Sequence, residues 1–375
     1  MQYRTLGRTS VQVSSLGFGA MSLPTDGQES HIDESAAIAM MRYAFDHGVN
    51  YVDTAYVYHG GKSEVVVGKA LGGYRDKVRI ASKLPIWSVN SLDDCERFLT
   101  EQLQRLATGH IDFYLLHCIQ KKNWEKMRSL GVLDWAEKAR AAGRIGHIGF
   151  SFHDTLDVFK EVVDAYDWSF CQVQYNYVNE SVQAGTEGVQ YAAGKGLGVI
   201  VMEPLFGGTL ANPPAPVRKV WDSAEPPCDP VDTALQWLWN KPEVSLVLSG
   251  MSTLQQVQQN VASAARSGVG SMSPQQLDLV ARAQKEYERL SPIPCTHCGY
   301  CMPCPHGVDI PVNFELYNNA TVFQGNSVGL CRNLYLSLPE GQRAAACIDC
   351  AICEERCPQH IVVSEMMPKV AAAFK

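Results

Sequence analysis

Two runs of cysteine near the C-terminus restrict this 375-residue chain more than any other feature. They read Cys295-x2-Cys298-x2-Cys301-x2-Cys304-Pro305 and Cys347-x2-Cys350-x2-Cys353-x3-Cys357-Pro358. Steps of three let one tight backbone turn aim successive sulfurs at one polynuclear centre. The closing proline cannot continue a hydrogen-bonded run, so the chain turns away after the last thiol. The second run has the spacing in which three thiolates hold one cubane iron–sulfur cluster and the fourth reaches a neighbouring cluster. Only Cys95, Cys118, Cys171 and Cys228 precede this region, out of 13 cysteines in all. The N-terminal residues lack the apolar core of a signal peptide, and no run approaches the ~20 apolar residues of a membrane helix. A reducing, cytoplasmic setting is therefore expected, where dense cysteine means metal more often than disulfide. Zinc is the competing metal, since it takes four-thiolate sites built from C-x2-C pairs; four thiols with short gaps and a closing proline suit a cubane better.

The preceding residues alternate short β-rich runs with helical patterns. The runs are Ser15–Ala20, Tyr51–Thr54, Val78–Lys83, Ile111–His117, Ile145–Ser151, Phe170–Tyr175, Gly198–Glu203 and Ser245–Gly250. Most are apolar without strict alternation, as when both faces are buried. Helical spacing marks Ser35–Asp46, Leu92–Leu106, Val132–Ala142, Thr155–Tyr166 and Asp232–Asn240. Eight strand–helix units fit a closed (β/α)8 TIM barrel better than an open doubly wound sheet. Tyr3–Val13, with a turn at Gly7-Arg8-Thr9, is expected to form a hairpin on the barrel floor. The proline-rich stretch through residues 212–227 reads as a long loop. Composition changes near Ser291–Pro294, which places the barrel in residues 1–290 and a mainly helical cluster domain in 291–375. A net charge of −7, with no basic run, argues against nucleic acid as a partner, and no membrane association is expected.

Barrel enzymes place their chemistry at the C-terminal ends of the strands. There the chain offers Asp53 and Tyr58 at and after the second strand, Lys83 at the third and His117 at the fourth. A neighbouring ammonium is expected to lower a phenol's pKa, and Asp53 would hold Lys83 charged and aimed. Val52-Asp53-Thr54-Ala55-Tyr56-Val57-Tyr58, followed by His59-Gly60-Gly61-Lys62-Ser63-Glu64, together with Ala81-Ser82-Lys83 and Leu115-Leu116-His117, resembles the aldo-keto reductase family. The resemblance covers nearly all of residues 1–265. It implies Tyr58 as acid, Lys83 and Asp53 as the pair that tunes it, and His117 as the group that orients the carbonyl. Tyr56 is the rival phenol, and the family's spacing selects Tyr58.

The resemblance also implies a nicotinamide cofactor held without a G-x-G-x-x-G fingerprint. Ser151 and Gln172 match the carboxamide-holding positions, with Phe152 where Asn is usual. Met202, Glu203 and Leu205 follow the seventh strand, Met202 standing where many members place a stacking aromatic. Gly250, Ser252, Gln256, Gln259 and Asn260 match the adenine-side segment. The cation that often grips a 2′-phosphate is absent there, so NADP and NAD both stay open. A Gln-rich tract of this kind also reads simply as a solvated helix face. Trp87, Trp124 and Trp221 are candidate walls of the substrate pocket.

The second cysteine run follows the bacterial ferredoxin pattern, and the first departs from it by one residue before Cys304. By that pattern Cys295, Cys298, Cys301 and Cys357 hold one [4Fe-4S] cluster, and Cys347, Cys350, Cys353 and Cys304 hold the other. The module resembles the helical dicluster domains of larger oxidoreductases, and the whole chain resembles a ferredoxin-containing branch of the aldo-keto reductases. The expected function is an NAD(P)-dependent oxidoreductase acting on a small carbonyl or alcohol, its clusters serving electron transfer or structure. A ferredoxin-type electron partner fits this reading. Hydride carries two electrons and a cubane usually one; a flavin would bridge the two, and no flavin domain is visible in the sequence. The alternative is an iron–sulfur electron-transfer or redox-sensing protein that uses the barrel as a scaffold.

Overall fold

A computed structural model describes residues 1–28, 30–295, 299–323 and 326–375. The chain divides into two compact units. The first comprises Met1–Pro204 and Ala234–Met272; the second comprises Leu205–Thr233 and Ser273–Lys375.

The first unit opens with antiparallel strands β1 (Tyr3–Thr5) and β2 (Gln12–Ser14). The barrel strands follow: β3 (Leu16–Gly19), β4 (Tyr51–Asp53), β5 (Arg79–Leu84), β6 (Ile111–Ile119), β7 (Ile145–Phe152), β8 (Phe170–Gln174), β9 (Gly198–Met202) and β10 (Val244–Gly250). All eight pair in parallel, and β10 returns to β3 to close the cylinder. The closed (β/α)8 barrel expected from the apolar runs is therefore the fold. Its interior is filled by Tyr51, Phe113, Leu115, Phe170, Ile200 and Leu246, each fully buried. Burial of each purely apolar side chain among these contributes about 1.5–3 kcal/mol.

The hairpin closes the floor as expected. Leu6 and Val13 join the barrel core with no exposed surface. Gly7 turns at φ +52°, and a Cβ there would lie 2.2 Å from the Gly198 nitrogen, so only glycine lets the two backbones approach. Arg4 donates to the carbonyls of Lys241 and Val244, at 3.1 and 2.5 Å, at the foot of β10. These contacts lie at the end opposite the strand termini where the reactive residues sit.

In the second unit the helices are Ala215–Asp222, Pro274–Leu290, Ile310–Phe323, Asn326–Ser337 and Val363–Ala373. The first of them corrects the sequence reading of residues 212–227 as loop. Pro216 stands in the opening turn, where its missing N–H costs nothing and its fixed φ suits a helix. Val217 and Trp221 then bury one face completely. Among the described residues, no helix is long and apolar enough to cross a membrane.

Candidate functional site

Asp53 is the last residue of β4, and Lys83 and His117 stand near the ends of β5 and β6. Tyr58 opens the short 3-10 turn Tyr58–Gly61 after β4. His59, Gly60 and Gly61 all take positive φ, so the chain reverses within three residues and Tyr58 is held over the strand ends. Glycines tolerate that conformation freely; His59 does not, and its Nε2 accepts the Leu23 N–H at 3.3 Å.

The parallel register brings these residues together. The Lys83 Nζ lies 2.5 Å from Asp53 Oδ1, 2.9 Å from the Thr54 carbonyl and 3.2 Å from the Tyr58 hydroxyl. Lys83 is 1% exposed and Asp53 4%. An ammonium has three N–H donors, and here each has an acceptor. Burial works against the charge on Lys83, but Asp53 and Tyr58 more than offset it, so the ammonium is held above its usual pKa. The Tyr58 ring meets His117 edge-on at 5.9 Å, and the exposed Trp87 packs against the same imidazole at 5.1 Å.

The expected downward pull of Lys83 on Tyr58 is present but is not the larger effect. Desolvation pushes the phenol up, Lys83 opposes it, and the net direction is above the usual value of 10.0. Spacing in a sequence does not reveal how completely a hydroxyl is buried. His117 moves the other way. Desolvation first, then the Lys83 charge and His153, hold its imidazole well below 6.5, so it is neutral at neutral pH. Its Nδ1 is buried without a hydrogen-bond partner among the described residues. Tyr56, the rival phenol, is engaged elsewhere, donating to Glu101 at 2.5 Å.

Ser151, on β7, accepts the Cys118 N–H at 2.7 Å, which leaves its own O–H to donate. Gln172, on β8, sends its amide N–H toward Asp53 at 3.5 Å. Its Oε1 is buried and has no partner among the described residues. These orphaned and donor-ready groups match a ligand that offers both an amide N–H and a carbonyl oxygen. Met202 and Glu203 are half-buried at and after the end of β9, and the Glu203 carbonyl accepts from Asn176 at 3.1 Å. Leu205 belongs to the second unit. Beyond β10, Gly250 is exposed, and Gln256 Oε1 accepts the Ser252 and Thr253 N–H groups at 2.8 and 3.2 Å. Its carbonyl thus completes the capping box of helix Leu254–Ala264. Gln259 is exposed; Asn260 is buried and donates to Ser249 at 3.0 Å.

Of the three tryptophans read as pocket walls, Trp87 stands beside the site, 47% exposed. Trp124 and Trp221 are fully buried packing residues, because large rings on amphipathic helices turn inward. Cys118 and His153 were not picked out from the sequence. Cys118 follows His117 at φ +60°, and His153 follows β7. Burial holds the His153 imidazole down to about 4.

In the second unit the cysteines line two cavities. One is bounded by Cys304, Cys347, Cys350 and Cys353. The other is bounded by Cys295, Cys301 and Cys357. Cys298 lies outside the described residues. Cysteine sulfur is common to both linings, His306 and Asp349 also line the first, and Ile310 and Val363 belong to both. Soft sulfur donors gathered in this way fit an iron–sulfur cluster.

The aldo/keto reductase family profile matches residues 15–276, and a 4Fe-4S dicluster domain profile matches residues 294–362. An L-galactose dehydrogenase of Arabidopsis thaliana is 29% identical over 70% of this chain and 88% of its own length. A methylglyoxal reductase of Escherichia coli is 34% identical over 37% of this chain and 49% of its own. The solved structure of an aldo-keto reductase from Bacillus halodurans, in its holo form, aligns with a TM-score of 0.65 at 25% identity, covering 76% of this chain and 96% of that one. With its barrel closed and Lys83 set between Asp53 and Tyr58, the chain belongs to the aldo/keto reductase family of oxidoreductases and carries a C-terminal 4Fe-4S dicluster domain.

Proposed function

We propose that the protein interconverts a small carbonyl compound and its alcohol with a nicotinamide cofactor, Tyr58 passing the proton. The hydrogen bond from Lys83 to Tyr58 carries this reading. Because the ammonium donates, the phenol oxygen accepts, and the hydroxyl proton is left for another acceptor. Desolvation keeps that proton on Tyr58 at neutral pH, and Lys83 stabilises the phenolate once it has gone. His117, being neutral, offers one ring N–H to a carbonyl oxygen and does not compete as an acid.

Ser151 and Gln172 would hold the carboxamide of the nicotinamide, the serine by its O–H and the glutamine by Oε1. When bound, that cofactor would supply the hydride that the Tyr58 proton complements. NADH and NADPH are both to be tried, since Gly250 and Gln256 bring no cation to a 2′-phosphate. A dehydrogenase of L-galactose and a reductase of methylglyoxal among the relatives support carbonyl–alcohol chemistry on a small oxygenated molecule.

Cys304, Cys347, Cys350 and Cys353 would hold one [4Fe-4S] cluster, and Cys295, Cys301 and Cys357, with Cys298 from its place in the run, would hold a second. When bound, the clusters would supply one-electron transfer, with a ferredoxin-type protein as partner in a reducing cytoplasm. The test is anaerobic purification with iron and sulfide analysis, followed by NADH or NADPH oxidation with 4-nitrobenzaldehyde as probe. Tyr58→Phe is expected to lower turnover by about 10²–10⁴-fold. Undiminished turnover in that variant would end the assignment of Tyr58 as acid.

A further inference from the structure

Behind the Lys83–Tyr58 pair lies a buried polar group that touches neither. Glu64 is fully buried in the first turn of helix Ser63–Ala70, six residues after Tyr58. Its Oε1 accepts from the Ser82 hydroxyl at 2.6 Å and from Gln102 Nε2 at 2.8 Å. Its Oε2 accepts from Arg105 at 3.2 Å. Every partner is a donor, which is the pattern of an ionised carboxylate.

The donors lead in two directions. Gln102 Nε2 also reaches the Ser82 hydroxyl, at 2.8 Å, and the backbone carbonyl of Lys83, at 3.1 Å. Its Oε1 is fixed by the Tyr114 hydroxyl at 2.8 Å. Arg105 donates to the carbonyl of Tyr56 at 3.0 Å, two residues before Tyr58, and its guanidinium covers the Tyr56 ring at 4.0 Å. The helix Leu92–Arg105 therefore grips the strand at Lys83 through Gln102 and the loop before Tyr58 through Arg105. Among the described residues, Glu64 is bonded to both grips.

We propose that Glu64, with Gln102 and Arg105, is a positioning device that sets the separation between the Lys83 ammonium and the Tyr58 hydroxyl. The hydrogen bond between those two groups joins different elements: Lys83 is on β5, and Tyr58 is on a turn with three successive residues at positive φ. Such a turn has no strand ladder to hold its height. The bonds to the Tyr56 carbonyl and to Glu64 clamp it on both sides of Tyr58. A charged carboxylate buried among donors is costly to disturb, because removing one partner leaves another polar group unsatisfied. The proposal rests on the reading of Tyr58 as the proton donor, but the bond it governs can be observed without turnover.

The test uses the full chain with Glu64→Gln. Its amide turns a donor toward one of the three existing donors and breaks the clamp on that side. Carbon-13 NMR of Cζ-labelled tyrosine, with the Tyr58 line identified by its loss in Tyr58→Phe, reads the phenol directly. In Glu64→Gln the Tyr58 line is expected to shift as the Lys83 bond lengthens. Reduction of 4-nitrobenzaldehyde is expected to fall about 10²-fold in kcat, with the alkaline limb of its pH profile displaced and the KM for the nicotinamide unchanged. Glu64→Asp is expected to recover part of kcat, because a carboxylate is retained. An unmoved Tyr58 line with an unshifted pH profile overturns the proposal, even if activity falls. Should Glu64→Gln fail to fold, Arg105→Met, which breaks the same clamp from its half-exposed end, is read by the same two measurements. If Tyr58→Phe turns over normally, the catalytic reading fails, while the NMR line still decides the positioning role.

Discussion

The Lys83 ammonium spends all three of its donors, on Asp53, on the Thr54 carbonyl and on Tyr58, at 2.5, 2.9 and 3.2 Å. The pair with Asp53 is almost wholly shielded from water. Removing one partner of such a pair leaves an uncompensated buried charge and costs about 3–5 kcal/mol, whereas removing both costs far less. Lys83→Met should therefore melt well below the parent, and Asp53→Asn/Lys83→Met should recover much of the difference. Both should lose carbonyl turnover, since neither restores a donor to Tyr58. Equal melting temperatures for the single and double variants would contradict the charged state argued for Lys83.

Acid stability follows from the two histidines at the barrel mouth. Desolvation holds His117 well below 6.5 and His153 down to about 4. Below 6.5 the unfolded chain takes up protons that both folded imidazoles refuse. The unfolded state then binds more protons, so stability is present above that pH and is lost as pH falls. At about 1.4 kcal/mol per pH unit for each proton, His153 alone accounts for about 3 kcal/mol by pH 4. Denaturant midpoints measured from pH 7 to pH 4 should fall less steeply in His153→Asn than in the parent. Parallel curves would show that His153 is protonated equally in both states.

The tryptophans separate packing from pocket. Trp124 is fully buried against Trp168 at a ring distance of 5.9 Å, and its truncation to alanine should cost about 3–5 kcal/mol. Trp87 is exposed and leans on His117. Trp87→Ala should leave the melting temperature within about 2 °C of the parent while raising the KM for 4-nitrobenzaldehyde several-fold. An unchanged KM would remove Trp87 from the substrate wall.

Much of this architecture is legible in the residues themselves. All eight barrel strands coincide with apolar runs, because a parallel strand buried on both faces leaves little room for polar residues. Asp53 and Lys83 stand out because charged residues at strand ends are rarely buried without a partner. The helix Ala215–Asp222 was hidden by its prolines, which read as loop until their place in the first turn is seen. Gln102 left a fainter mark. It occupies the inward stripe of Cys95, Phe98 and Leu99, a polar residue where the helical period calls for an apolar one. The upward direction of Tyr58 and the unpartnered Nδ1 of His117 could not be read, since burial of single atoms is decided by residues distant in the chain.

The cysteine cavities give a prediction that contiguity in sequence would reverse. Cys357 closes the second run, yet it lines the cavity with Cys295 and Cys301; Cys304 closes the first run, yet it lines the cavity with Cys347, Cys350 and Cys353. The fourth thiol of each run thus lies with the other run, as in the ferredoxin pattern. Cys304→Ser and Cys350→Ser should therefore each remove the same cluster, and Cys357→Ser the other. Because each cluster is bound as a unit, the double variant Cys304→Ser/Cys350→Ser should keep about half the iron of the parent. Cys304→Ser/Cys357→Ser should keep almost none. Iron and sulfide analysis of anaerobically purified variants reads the difference. If instead Cys350→Ser/Cys357→Ser retained half the iron, each run would be holding its own cluster and the crossed arrangement of the thiols would be wrong.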